Sequence, residues 1–205
     1  MNAAIMIAIG GALLLFPRPL TTEAKRRLRQ YSRIPISLPF VASIDQAAVK
    51  REALMNALRC WHNWVDLLRA ALGAWLVSAG LYGPDQLGTS TPDATYIALL
   101  GLAAVLQLYR RVSKRWGLID PCFFLSGIVL GAFSWPINVV VVLLAWIAGL
   151  TSQTLLVVSP VLALTGFALI YITSGLDMVS IGICLILAAP VASIILMGAR
   201  RGYVW

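Results

Sequence analysis

Any chemistry in this chain has to start from CWHNW, residues 60–64, which holds its one histidine. Cys60, His62 and Asn63 are each able to ligate or donate, and Trp61 and Trp64 bracket the group. On a helix, His62 and Asp66 are four residues apart and share a face, so a hydrogen bond or ion pair between them is expected. Two roles follow. In the plainer one, the tryptophans sit at the depth where indoles collect at a membrane–water interface, beside a locally paired histidine. In the sharper one, His62 is the axial ligand of a haem or chlorophyll-type tetrapyrrole, oriented by Asp66 or Asn63. The plainer role is preferred, and no cofactor is expected.

Few other residues are equipped for catalysis. The eight acids fall in polar segments or at helix starts, and only Asp66 approaches an apolar run from within a helix. Proton pumps, voltage sensors and most coupled transporters carry ionisable groups at mid-membrane depth, and here no apolar run has one at its centre. Paired-histidine zinc sites need a second histidine. Phosphoryl transfer needs a glycine-rich cradle with a lysine, or clustered acids for magnesium. Cys60, Cys122 and Cys184 are dispersed and read as free thiols. The chain is therefore expected not to be an enzyme.

The elements that position these residues are apolar. Of 205 residues, 60% are hydrophobic and 12% charged, far from the mix of a soluble domain. Apolar runs recur along the whole chain, which predicts an all-α, polytopic membrane protein of one domain, residues 1–205. The net charge of +8 is gathered into clusters that flank those runs. That distribution is an orientation signal rather than a nucleic-acid footprint.

Residues 3–16 form a first segment, followed by Arg18, Lys25, Arg26, Arg27, Arg29 and Arg33. The order predicts the N-terminus outside and the cations in the cytoplasm. Thr21 and Thr22 open a basic helix in which Lys25, Arg26, Arg27 and Arg29 contact anionic lipid or an acidic partner. Two prolines make residues 34–40 extended. Residues 43–46, SIDQ, form a capping box. Beyond it one helix of almost forty residues is expected. Leu54, Leu58, Trp61, Val65, Leu68, Leu72 and Trp75 repeat at spacings of four and three, a heptad seam that calls for a partner helix. The basic, amphipathic part of the chain, about 18–66, is thus assigned to the cytoplasm.

Residues 83–93 carry acids and no cations, as an outer loop should. Thr91-Pro92-Asp93 restarts a helix that returns over 94–109 to the cations of 110–115. Asp120-Pro121 and Ser134-Trp135-Pro136 both resemble helix starts. Residues 121–149 then form either two short helices, as a re-entrant hairpin or as two short spans, or one helix kinked at Pro136. Spans at 154–172 and 178–197 follow, with an alternative boundary at Val158–Pro160. Placing Arg200 and Arg201 with the other cations selects the hairpin. The result is six to seven membrane segments with a cytoplasmic C-terminus. Gly10-Gly11 and the Gly127/Gly131 pair predict close helix contacts.

Two functions are compatible with this pattern. One is a non-catalytic subunit of a larger membrane assembly, resting on the heptad seam and the missing catalytic set, with the bilayer and other membrane subunits as partners. The other is a channel or carrier for a small neutral solute, resting on the broken segment near Pro136.

Overall fold

The computed structural model describes residues 2–16, 54–83, 94–112, 115–118, 121–133, 135–152, 157–174 and 181–189. The fold is all-α apart from one short strand pair. Eight helices occur among the described residues. These are α1 (Ala3–Leu15), α2 (residues 54–59), α3 (Trp61–Tyr82), α4 (Ala94–Leu108), α5 (Cys122–Ala132), α6 (Ile137–Thr151), α7 (Val158–Ser174) and α8 (residues 181–189). Strands β1 (Tyr109–Val112) and β2 (Arg115–Leu118) pair antiparallel between α4 and α5. The capping box at 43–46, the cations at 25–29, the outer loop and Arg200/Arg201 lie outside the described residues.

α3 is the axis of the molecule. Its 22 residues rise about 33 Å, enough for a hydrocarbon core of about 30 Å. Among the described residues it is the one helix long and apolar enough to cross a membrane. The other apolar helices are shorter. α1 and α5 pack on two of its faces through glycines. A Cβ on Gly10 would lie 2.8 Å from the Gly73 carbonyl oxygen, and one on Gly80 would lie 2.7 Å from the Ile7 side chain. On α5, added Cβ atoms at Gly127 and Gly131 would run into the Leu67 and Ala71 carbonyls of α3. Of the glycines noted in the sequence, Gly10, Gly127 and Gly131 are therefore places where backbones touch, while Gly11 faces open space. Small residues permit this where apolar side chains gain little by leaving lipid.

These contacts fix directions. Ile7 lies beside Gly80, Gly10 beside Gly73, and Phe16 beside Arg69, so α1 runs antiparallel to α3. Phe123 meets Trp64 and Gly131 meets Ala74, so α5 runs parallel to α3. α6 folds back on α5: the Phe123 and Trp146 rings are 4.7 Å apart, and Asn138 donates to the Leu130 carbonyl at 2.9 Å. The two helices of residues 121–151 are thus a hairpin rather than one kinked rod. The chain breaks at Phe133–Pro136, as the second helix-start signal predicts. Gly131, one residue before the end of α5, lies against Ala71, Ala74 and Trp75, about 11 Å short of the end of α3.

α7 is antiparallel to α6, with Gly166 against Phe133 and Val141. It begins at Val158, nearer the alternative boundary than residue 154. Ser159 donates to the Leu187 carbonyl at 2.6 Å, which sets α8 antiparallel to α7. Ile97 and Ile186 pack on Gly182 and Gly101 and set α8 parallel to α4. α5 is the most enclosed helix, with nine of its eleven residues buried.

Two expectations are corrected. Two strands stand where the sequence predicts the end of a helix over 94–109 and the cations of 110–115; Tyr109, Val112 and Trp116 are residue types that suit strands. The single helix of almost forty residues is broken at Cys60, whose ψ of 101° is extended.

Candidate functional site

The break at Cys60 explains CWHNW. In a continuous helix, the Ala57 carbonyl would accept from the amide of residue 61 and the Leu58 carbonyl from that of residue 62. The break removes both donors. Asn63 Nδ2 donates to the Ala57 carbonyl at 2.9 Å, and Trp64 Nε1 donates to the Leu58 carbonyl at 2.8 Å. Two side chains thus restore what the backbone lost, and buried carbonyls require such partners. Asn63 is buried. The Trp64 ring also stands edge-on to Phe123 of α5 at 5.5 Å, tying the break to the core.

His62 takes no part in this repair. It is exposed, with its ring 6.1 Å from that of Trp61. The expected pairing with Asp66 is replaced, because the Asp66 carboxylate lies 3.3 Å from Arg69 Nη2. Arg69 also donates through Nη1 to the carbonyl of Phe16, the residue that caps the C-terminus of α1, and its guanidinium lies 5.5 Å from the centre of the Phe124 ring. A cation at a helix C-terminus is favourable, and this one links α1, α3 and α5. Arg69 outcompetes His62 for Asp66 because it alone is held by two other elements.

The heptad seam divides at the break. Leu54 is buried, and Leu58 packs against the core from α2. Trp61 is 67% exposed, Leu68 58%, Leu72 53% and Trp75 42%, while Val65 is half-buried. The buried face of α3 is instead Asn63, Leu67, Ala70, Ala74 and Val77. A change of chain direction at Cys60 turns the first two seam positions inward and leaves Trp61, Leu68, Leu72 and Trp75 facing out.

Several side-chain hydrogen bonds elsewhere join helices. Trp146 Nε1 donates to Ser126 Oγ at 3.0 Å, and Ser126 donates to the Cys122 carbonyl at 2.8 Å. Tyr96 donates to the Ala74 carbonyl at 3.2 Å. No protein-family model, curated protein or solved structure matches the chain. Among the described residues no three of His, Cys, Asp and Glu are grouped to hold a metal ion. The sequence did not reveal Arg69 as a linking residue; its one signal was a cation inside an apolar run three residues after an acid.

Proposed function

We propose that the chain is a non-catalytic, multi-pass subunit of a larger membrane assembly, with its N-terminus outside and its C-terminus in the cytoplasm. The observation that carries this reading is the outward row of Leu68, Leu72 and Trp75 on α3. α3 is enclosed on two faces by glycine-lined contacts and bare on the third. Counted along the helix, Trp75 lies about 21 Å from Trp61, inside the hydrocarbon depth rather than at an interface. An indole carries a polar N–H, which favours the interface or a protein neighbour over lipid tails.

The helix directions support the multi-pass topology. They bring the ends of α1, α4, α6 and α8 and the starts of α3, α5 and α7 to one end of the bundle. Strand β1, which carries Arg110 and Arg111, follows the end of α4 there, and α2, which carries Arg59, precedes α3 there. The α5–α6 hairpin enters and leaves there, so it is re-entrant in this scheme, and α1, α3, α4, α7 and α8 are the crossing segments. The outward faces of α4, α6 and α7 present Leu102, Val105, Leu144, Ile147 and Leu164, as a bundle solvated by lipid would. The solute-carrier reading is weaker, since the break near Pro136 is closed by Asn138 and its buried polar neighbours bond one another.

Photo-crosslinking from position 72 in native membranes tests the subunit role. A discrete adduct with a second, different protein is expected. An adduct with lipid alone would remove the argument, and a self-adduct would replace the subunit by a homo-oligomer.

A further inference from the structure

The α2–α3 junction has an outer surface of unusual composition. Arg59, Trp61 and His62 are exposed and Trp64 is 44% exposed, all within six residues. Packing holds them there. Leu54 and Ala57 anchor α2 to the bundle, and the Asn63 and Trp64 bonds fix the angle at which α3 departs. The patch therefore cannot fold inward without breaking the junction.

Its depth follows from its neighbours. Arg69 and Phe16 meet where α1 ends, about 12 Å along α3 from Trp61. The Asp66–Arg69 pair lies between these levels and is shielded by protein. The junction thus stands just outside the apolar layer, at the thickness of headgroups. Its groups suit that layer: a guanidinium for phosphate, an imidazole able to donate, and indoles that rest among glycerol and carbonyl groups.

We infer that the exposed face of the α2–α3 junction is a binding surface for anionic phospholipid headgroups, with Arg59 and His62 on the phosphate and Trp61 and Trp64 at the glycerol level. The charge argues for an anionic lipid over a zwitterionic one. Among the described residues of the junction Arg59 is an exposed cation and no acid is exposed. This surface is separate from the row at Leu68, Leu72 and Trp75, and it rests on the membrane reading of the chain.

The test uses the full chain reconstituted in vesicles whose phosphatidylcholine or phosphatidylglycerol carries brominated acyl chains, which quench nearby indoles. The signal of interest is the quenching lost in Trp61→Phe. We expect it to reach half-maximum at a several-fold lower fraction of brominated phosphatidylglycerol than of brominated phosphatidylcholine. In the double variant Arg59→Gln, His62→Gln the ratio should fall to about one, whereas Trp135→Phe at the hairpin tip should leave it unchanged. Elevated salt should shrink the wild-type preference, because the attraction is screened over about 10 Å or less. Equal quenching by both lipids in the wild type, or a preference that survives the double variant, overturns the headgroup assignment. Absence of quenching by either lipid instead overturns the membrane reading beneath it.

Discussion

Asn63 replaces a backbone donor with a side-chain donor, and this kind of replacement has a measurable cost when removed. In Asn63→Leu the Ala57 carbonyl remains buried and loses its partner. We expect a loss of about 1–3 kcal/mol, read from unfolding of the purified protein in mixed micelles. His62→Ala, at the adjacent position, should change stability by less than about 0.5 kcal/mol, since its ring is exposed and closes no hydrogen-bonded gap in the break. Equal effects of the two substitutions would contradict the account of the junction. The absorption spectrum supplies a separate check on cofactor binding. No Soret or chlorin band is expected, and a band lost in His62→Ala would restore the tetrapyrrole role.

At the scale of the elements, the two glycines at positions 10 and 11 make opposite predictions. A Cβ on Gly10 meets the Gly73 carbonyl and the Leu76 and Val77 side chains within 3 Å, whereas one on Gly11 meets nothing within 4 Å. Gly10→Ala should therefore separate α1 from α3 and lower stability by about 1–3 kcal/mol. Gly11→Ala should raise it by up to about 1 kcal/mol through helix propensity. Thermal unfolding of both variants in the same detergent decides this, and matching shifts would mean that α1 does not sit where its glycines place it. Both glycines stand out equally in the sequence. Their difference comes from a neighbour sixty residues away. The same applies to Gly127 and Gly131: their spacing announces a close contact, but nothing in the sequence names α3 as the partner.

For the molecule as a whole, the arrangement of helix ends predicts a labelling pattern. With the native cysteines replaced, a cysteine at position 88 should react with an impermeant reagent from outside, and one at position 202 only from the cytoplasm. Cytoplasmic labelling of 88 would invert the topology. Exterior labelling of 202 would require the α5–α6 hairpin to cross rather than return. Helical content, the apolar runs, the grouping of cations and the break near Pro136 were all legible in the sequence, because each depends on composition or on residues within a turn or two. Composition sets whether a segment is apolar, and proline fixes backbone angles wherever it stands. The break at Cys60 was not legible, since neither glycine nor proline marks it and its stability comes from side chains six residues downstream of the carbonyls they satisfy. Nor was the direction of the seam. A spacing of three and four places Leu54 through Trp75 on one stripe only if the helix is continuous, and one extended residue at Cys60 divides that stripe between the core and the surface. Asp66 could have paired with His62 or Arg69 on local spacing. Tertiary structure chose Arg69, because the end of α1 and the ring of Phe124 hold that guanidinium in place.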